Sequence, residues 1–270
     1  MSNLNSGSAG QVSMASEEGL AIVTLDHVGK YNAMSRSMWR ALREVFLSIQ
    51  ASKEWRCVLL QGHGRQFCAG GDIAEYPGFR FEEAQLRAFH EEDVWGGLEA
   101  MLSCDVPIVA AIDGHCMGAG VEIACCCDIR IASRSARFGA PIARLGFPMA
   151  PREAQLVMQV AGETSTREML LEAAVLDAPE MKARGFLHAI VDEHELMSYA
   201  GERARRIASL APEAARMNKQ TLRALGGRCS GSNPGEGLDG ILPSAYNYAS
   251  SAEHREGIAA FLGKRAPKFY

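Results

Sequence analysis

The stretch PIVAAIDGHCMGAGVEIACCCD, residues 107–128, contains in succession a predicted strand, a glycine turn and a predicted helix. Ile108–Ile112 is a short apolar run containing β-branched residues, which predicts a buried strand. The glycine turn at residues 118–120 follows, and Val121–Cys127 is apolar on nearly every face, which predicts a central helix. A glycine-rich turn that opens a helix leaves backbone N–H groups free at the positive end of the helix dipole. The stretch therefore predicts a backbone turn that can hold negative charge.

A second glycine turn lies upstream and has the same context. Phe67-Cys68-Ala69-Gly70-Gly71-Asp72 follows the apolar run Cys57–Leu60 and precedes a helix-like segment. Two such turns brought together would hold one developing negative charge between two amides, which is an oxyanion hole. The pair indicates an enzyme that stabilises an enolate or a tetrahedral oxyanion.

The order of elements predicts an α/β fold. A strand at Leu20–Leu25, a helix at Arg36–Ala51 and the strand beginning at Cys57 form a βαβ unit, and the chain is mainly helical from Arg152 onward. Residues 226–237 form a predicted glycine/serine loop. No G-x-G-x-x-G follows the first strand and no GxxxxGK[ST] loop occurs, which argues against a dinucleotide-binding fold.

The composition of the chain limits which binding partners and which cellular compartment we expect. Net charge is −4 and 47% of the 270 residues are apolar, so we expect no nucleic-acid partner, and the apolar runs are too short to span a bilayer. Residues 1–14 are predicted to be a disordered tail without signal-peptide character. The 8 cysteines are interpreted as buried reduced thiols, and the histidines lack metal-ligand spacing. We expect a cytoplasmic protein with no metal.

Five motifs, in order, carry a resemblance to a known family. The chain resembles the crotonase, or enoyl-CoA hydratase/isomerase, superfamily over nearly its whole length. The matching segments are Lys30–Met34, Phe67–Ile73, residues 107–128, Phe138–Pro141 and Glu256–Phe269.

The resemblance implies a fold, an assembly and a substrate. The fold would be a spiral of repeated ββα units over residues 15–205, followed by a helical oligomerisation region over residues 206–270. A trimer or a dimer of trimers would be the assembly. The substrate would be an acyl-CoA thioester, and because CoA is part of that substrate, no separate cofactor is expected.

The resemblance also assigns roles to residues. The backbone N–H groups of Gly71 and Ala119 would form the oxyanion hole, and Glu122 would be the general acid or base. The remaining contacts to substrate and CoA would come from Lys30, Ala69, Gly70, Asp72, Ile73, Gly118, Ile142, Phe261 and Lys264.

One position departs from the family's hydratase pattern. Family hydratases place a second glutamate directly after the F-G-x-P proline, where this chain has Ile142. Glu122 is then the only inherited catalytic glutamate, and hydration, isomerisation and other acyl-CoA reactions stay open. One alternative is decarboxylation of a malonyl-CoA-type ester, because an apolar wall beside a carboxylate destabilises its charge. Another is a CoA-ester-binding protein that has lost catalysis.

Other charged side chains near these motifs are predicted to be structural. Arg152 and Glu153 are interpreted as a solvated pair that opens a helix, with a new charge in the pocket as the alternative. Residues 91–93 are interpreted as a surface charge run. His115 is predicted to be structural and Asp72 to orient the first turn. Asp128 and Arg130 are assigned to packing and subunit contacts.

Overall fold

The computed structural model describes residues 10–226 and 234–269, in which strands alternate with helices before a helical end. The strands of these residues are β1 (Gln11–Glu17), β2 (Leu20–Asp26), β3 (Cys57–Gly62), β4 (Ile108–Ile112), β5 (His115–Met117), β6 (Ile129–Ser133), β7 (Arg137–Gly139), β8 (Val175–Asp177) and β9 (Ala189–Val191). The α-helices are α1 (Arg36–Ala51), α2 (Glu83–Ala88), α3 (Trp95–Ser103), α4 (Ala119–Cys125), α5 (Pro151–Ala161), α6 (Glu163–Leu171), α7 (Ala178–Ala183), α8 (Leu196–Ala208), α9 (Pro212–Leu225), α10 (Pro234–Ile241) and α11 (Ala252–Leu262). Short 3₁₀ helices span Ile73–Gly78, Pro141–Leu145, Leu242–Ser244 and Asn247–Ser250, and a π-helical segment spans Phe89–Val94.

The main sheet has six strands in the order β1-β2-β3-β4-β6-β9. Its pairs are parallel except for the antiparallel pair β1–β2. Every residue of β4 is buried, as expected for a strand covered on both faces. Helix α1 packs its Leu42 and Phe46 into the cluster on one face, and α8 packs Ala200 and Ala204 into the cluster on the other. The predicted α/β architecture is confirmed.

A second, three-stranded sheet positions the functional turns. Its order is β5-β7-β8, and β5 pairs in parallel with β7. Cys68 of the first glycine turn forms an isolated parallel bridge with Cys116 of β5. The first turn is therefore bound to the strand that leads into the second turn.

The structure corrects two predicted boundaries. The prediction of a disordered tail over residues 1–14 is wrong for residues 11–14, because Gln11–Glu17 pairs along its length with β2. Residues 1–9 lie outside the described residues. This edge strand is mostly exposed and is held by backbone hydrogen bonds, so its polar sequence carried no strand signal. Helix α8 runs through the predicted boundary between residues 205 and 206, because Ala204 and Ala208 both pack on the sheet.

Three further predictions from the sequence concern a loop, the cysteines and membrane-spanning helices. The predicted loop at residues 226–237 lies partly outside the described residues, and α10 already begins at Pro234. The cysteines within the described ranges are buried, as predicted. In those ranges no helix has the length and apolar character needed to cross a membrane.

Candidate active site

The two glycine turns lie against each other. Cys68 N–H donates to the His115 carbonyl at 2.8 Å, and Met117 N–H donates to the Cys68 carbonyl at 2.9 Å. A Cβ placed on Gly118 would lie 3.7 Å from the Gly70 Cα, and one on Gly120 would lie 2.6 Å from the Cys68 carbonyl oxygen. The backbones therefore approach as closely as glycine allows.

Positive φ angles at Gly70 and Gly118 set the direction of the neighbouring amides. The angles are +117° and +46°, a region that favours glycine. Met34 pairs with the first turn through the Gly70 carbonyl and the Asp72 N–H, so the Gly71 N–H points away from that pairing. Ala119 is the first residue of α4, where an N–H has no acceptor in its own helix. Each predicted oxyanion amide thus directly follows a glycine with a positive φ angle.

The Tyr76 side chain covers Gly71. A Cβ built on Gly71 would collide with the Tyr76 hydroxyl. Burial raises the pKa of Tyr76 to about 12, and the nearby carboxyl of Glu122 adds to that rise. The phenol is therefore neutral at physiological pH and stands beside the predicted oxyanion amide.

A cavity of about 310 Å³ opens at the meeting point of the turns. Most of its wall is apolar and includes Trp39, Phe89 and Phe147. The predicted site residues that line it are Ala69, Gly70, Gly71, Ile73, Gly118, Ala119, Glu122 and Ile142. The structure therefore brings together both predicted amides, the predicted glutamate and the aliphatic residue that replaces the second glutamate.

Glu122 is a buried carboxyl on the first turn of α4. Its exposed fraction is 8%, and burial raises its pKa from the ordinary 4.5 to about 8, with the charge of Glu153 as the second cause. A carboxyl with a pKa near 8 can take or give a proton close to neutral pH. Glu122 therefore has the environment of an acid–base residue.

Glu153 is not solvated, so the prediction of a surface pair at Arg152 and Glu153 is wrong for this residue. Its exposed fraction is 2%, and its Oε1 lies 3.0 Å from Nδ1 of His90. Helix α5 packs against α4, which brings this carboxylate near Glu122. Arg152 remains half-exposed and pairs with Glu91 at 3.4 Å.

His90 was missed by the sequence analysis and lies in the cavity wall. It belongs to the π-helical segment Phe89–Val94, and such segments often mark functional sites.

The same π-helical segment contains Asp93, which was predicted to be part of a surface charge run and is instead 5% exposed. Asp93 accepts hydrogen bonds from Arg36 Nε at 2.8 Å and Arg40 Nε at 2.6 Å, and these bonds explain its burial.

Arg80 also faces the cavity and was not predicted. Its guanidinium carbon lies 3.8 Å from the ring centroid of Phe147 and 4.6 Å from that of Tyr76. Among the described residues, no carboxylate forms an ion pair with it. A cation held by aromatic rings and not neutralised by an acid can attract an anionic group.

Four residues predicted to contact the substrate lie outside the cavity wall. Lys30 Nζ pairs with Asp72 Oδ2 at 2.6 Å, and Asp72 also accepts the Ala74 N–H and so caps the 3₁₀ helix that follows. Asp72 thus orients the end of the first turn. Phe261, on α11, is 82% exposed, and Lys264 follows that helix. The described chain does not bring these last two residues to the cavity.

The residues predicted to be structural have defined contacts. His115 is exposed, and its Nδ1 lies 2.6 Å from Oε1 of Gln66. Arg130 donates to the backbone carbonyls of Phe186 and Cys127. Asp128 accepts the Ile108 N–H at 2.7 Å and pairs with Lys219. All three residues lie outside the cavity wall.

Comparisons with known proteins identify the family to which this chain belongs. The family model described as enoyl-CoA hydratase/isomerase matches residues 15–270. A short-chain-enoyl-CoA hydratase from Clostridium acetobutylicum is 30% identical over 259 residues, which cover 94% of this chain and 95% of that protein.

Solved structures agree with this assignment. An enoyl-CoA hydratase/carnithine racemase from Magnetospirillum magneticum superposes with a TM-score of 0.88 at 34% identity, covering 99% of this chain and 98% of that one. An enoyl-CoA hydratase from Bacillus anthracis gives a TM-score of 0.86 at 27% identity, covering 96% and 98%. The chain belongs to the enoyl-CoA hydratase/isomerase family, and the predicted crotonase resemblance is confirmed.

Proposed function

We propose that the protein is an acyl-CoA lyase of the hydratase type that stabilises a thioester enolate between the amides of Gly71 and Ala119. Glu122 is the acid–base residue next to the enolate carbon. The observation that supports this proposal is the meeting of the two glycine turns at a cavity that a buried carboxyl, Glu122, also lines.

The chemistry requires both parts of this arrangement. The α-proton of a thioester is too weakly acidic for an unaided carboxylate, and addition to an enoyl thioester generates the same enolate. Preorganised donors at the carbonyl oxygen lower the cost of that enolate by about 3 kcal/mol each. A positioned acid–base residue contributes roughly 10²–10⁴-fold in addition.

The rest of the substrate follows from the same placement. Ala69, Gly70 and Ile73 line the cavity beside the first turn and are proposed to pass along the CoA moiety. Lys30 is half-exposed next to them and is proposed to reach a CoA phosphate. Phe261 and Lys264 would contact CoA bound to a neighbouring subunit of a homotrimer or a dimer of trimers, since they do not reach the cavity of their own chain.

Hydration of crotonyl-CoA tests the proposal. Loss of the conjugated thioester absorbance is followed with the wild type, Glu122→Gln and the control Glu92→Gln, which alters an exposed carboxylate on the π-helical segment. We expect turnover by the wild type and the control, and a loss of about 10²–10⁴-fold in Glu122→Gln. Equal rates in wild type and Glu122→Gln would remove Glu122 from the reaction.

Decarboxylation of a malonyl-CoA-type ester is a second candidate, and Arg80 favours it. Cleavage of the Cα–carboxylate bond releases CO₂ and leaves its electron pair on the same enolate, which a proton donor then quenches at Cα. Arg80 would hold the carboxylate, and the apolar Ile142 would destabilise its charge. CO₂ release from methylmalonyl-CoA that is lost in Arg80→Met supports this reaction, and its absence from the wild type rejects it.

A further inference from the structure

His90 lines the cavity, and the buried carboxylate of Glu153 lies behind it as the partner of its ring. Glu153 Oε1 lies 3.0 Å from Nδ1 of His90, and the carboxylate is nine-tenths or more buried behind the ring. A carboxylate can only accept, so Nδ1–H donates to Glu153, and Nε2 of a neutral ring is then its acceptor atom. We propose that His90 is the second catalytic residue of this site, opposite Glu122, and that Glu153 is its positioning residue.

The inference rests on the proposed function and answers the question raised by Ile142. A second proton-transfer group does not have to come from position 142 when another segment supplies one to the same cavity. His90 and Glu122 both line that cavity. Glu153 hydrogen-bonds to His90, and its negative charge acts on the nearby carboxyl of Glu122. The three side chains thus form one cluster.

The segment that carries His90 is fixed in place. Asp93 is bonded to two arginines of α1, and the Phe89 ring packs edge-on against the imidazole, with 5.1 Å between the ring centroids. A proton-transfer group must lie within hydrogen-bond reach of its target, so rigid support favours such a role.

The charged and titratable groups around His90 agree with an accepting Nε2. Arg80 Nη1 lies 3.5 Å from Nε2 and can only donate to it. Three other charged or titratable residues line the same cavity: Glu122 of α4, Tyr76 of the 3₁₀ helix Ile73–Gly78 and Arg144 of the 3₁₀ helix Pro141–Leu145. On α5, Glu153 contacts the ring and Arg152 precedes it in sequence. On its own segment, Glu91 and Glu92 are exposed and Asp93 is neutralised by Arg36 and Arg40.

The reaction at an enoyl thioester balances with these groups. Nε2 of His90 takes a proton from water while the water oxygen bonds to Cβ, and the double-bond electrons move to the carbonyl oxygen held by the two amides. The enolate then collapses and takes the proton of Glu122 at Cα. The proton on His90 returns to Glu122 through water, so the net change is addition of one water molecule.

Two reactions separate the roles of His90 and Glu122. Exchange of the Cα protons of butyryl-CoA with D₂O measures enolate formation and requires Glu122, whereas hydration of crotonyl-CoA also requires His90. We expect His90→Gln to lose about 10²–10³-fold in hydration kcat with KM within about three-fold, and to retain Cα exchange within about three-fold. Glu122→Gln loses both reactions.

A third variant tests the positioning role of Glu153. Glu153→Gln removes a negative charge beside Glu122 while keeping the side-chain shape, so ionisation of Glu122 becomes easier. We expect about a ten-fold loss of hydration and a shift of the alkaline limb of the kcat/KM profile to lower pH, a shift that a merely structural role would not produce. Glu91→Gln, which changes an exposed carboxylate next to His90, should leave rate and profile unchanged. Butyryl-CoA affinity by calorimetry confirms that each variant is folded.

Each result decides between the two proposals. Wild-type hydration rates in His90→Gln overturn the role of His90 and leave the proposed hydratase function standing. Cα exchange by a wild type that does not hydrate crotonyl-CoA overturns the role of His90 and the hydratase assignment, and leaves only enolate stabilisation standing. Absence of both reactions in the wild type rejects the proposed function and the inference with it.

Discussion

Two walls of the same cavity are built by different means. The backbone wall consists of the two glycine turns, residues 67–72 and 117–122, and its geometry follows from φ angles and hydrogen bonds between adjacent segments. The side-chain wall includes Phe89, His90 and Val94 of the π-helical segment, and Glu153 of α5 supports it from behind by meeting His90 across 63 residues of sequence. The backbone wall can hold a negative charge, whereas burial and the charge of Glu153 behind the side-chain wall raise the pKa of Glu122 and so disfavour a negative charge there.

The largest expected effect is a pH-dependent gain of stability in Glu122→Gln, which tests how the side-chain wall and Glu153 act on this carboxyl. The pKa of Glu122 is about 8 in the folded protein against an ordinary 4.5, so the folded state keeps a proton that the unfolded state releases. Wild-type stability therefore falls as pH rises from about 4.5 to about 8, because ionisation favours the unfolded chain over that window. We expect Glu122→Gln to exceed the wild type by about 3–5 kcal/mol at pH 9 and by little at pH 4.

Urea unfolding at several pH values measures this gain. In a Glu153→Gln background the gain should shrink, since the neighbouring charge is the second cause of the raised pKa. A gain that is the same at pH 4 and pH 9 would show that Glu122 ionises normally and that the side-chain wall does not act on it.

The backbone wall is tested at Gly71, where the expected loss is about 10²–10³-fold in kcat. Gly71→Ala places a methyl group against the Tyr76 hydroxyl, so either the amide or the ring must move. Tyr76→Phe removes the obstructing oxygen, and the double variant should recover much of the lost rate. The measurement is crotonyl-CoA turnover by the wild type, both single variants and the double variant.

The opposite pattern of rates would assign a catalytic role to the Tyr76 hydroxyl. If Tyr76→Phe alone loses as much as Gly71→Ala, and the double variant recovers nothing, the hydroxyl itself takes part in stabilising the oxyanion. The Gly71 amide would then share that task with a side chain.

Sequence reasoning succeeded where neighbouring residues determine the structure. Gly70 and Gly118 predict turns because few other residues adopt their φ angles. The position of Glu122 in the sequence, two residues after the second glycine turn, predicts its place beside that turn. Glu153 and His90 could not be found in this way, because their burial depends on α5 packing against α4 and on a π-helical segment that no local pattern marks. An acidic residue at the start of a helix is usually solvated, and only the tertiary contacts reverse that expectation for Glu153.

The smallest predicted effect concerns the anchor of the side-chain wall. Asp93 is buried between Arg36 and Arg40, whose side chains are 33% and 63% exposed, so solvent screens part of each ion pair. We expect Asp93→Asn to cost about 1–2 kcal/mol in the free energy of unfolding, and to lower crotonyl-CoA hydration a few-fold because the segment that carries His90 loosens. Glu92→Gln, one residue away and exposed, should change stability by less than about 0.5 kcal/mol. If the two variants unfold at the same urea concentration, Asp93 does not hold this segment, and the position of His90 must depend on the Phe89 ring and on Glu153 instead.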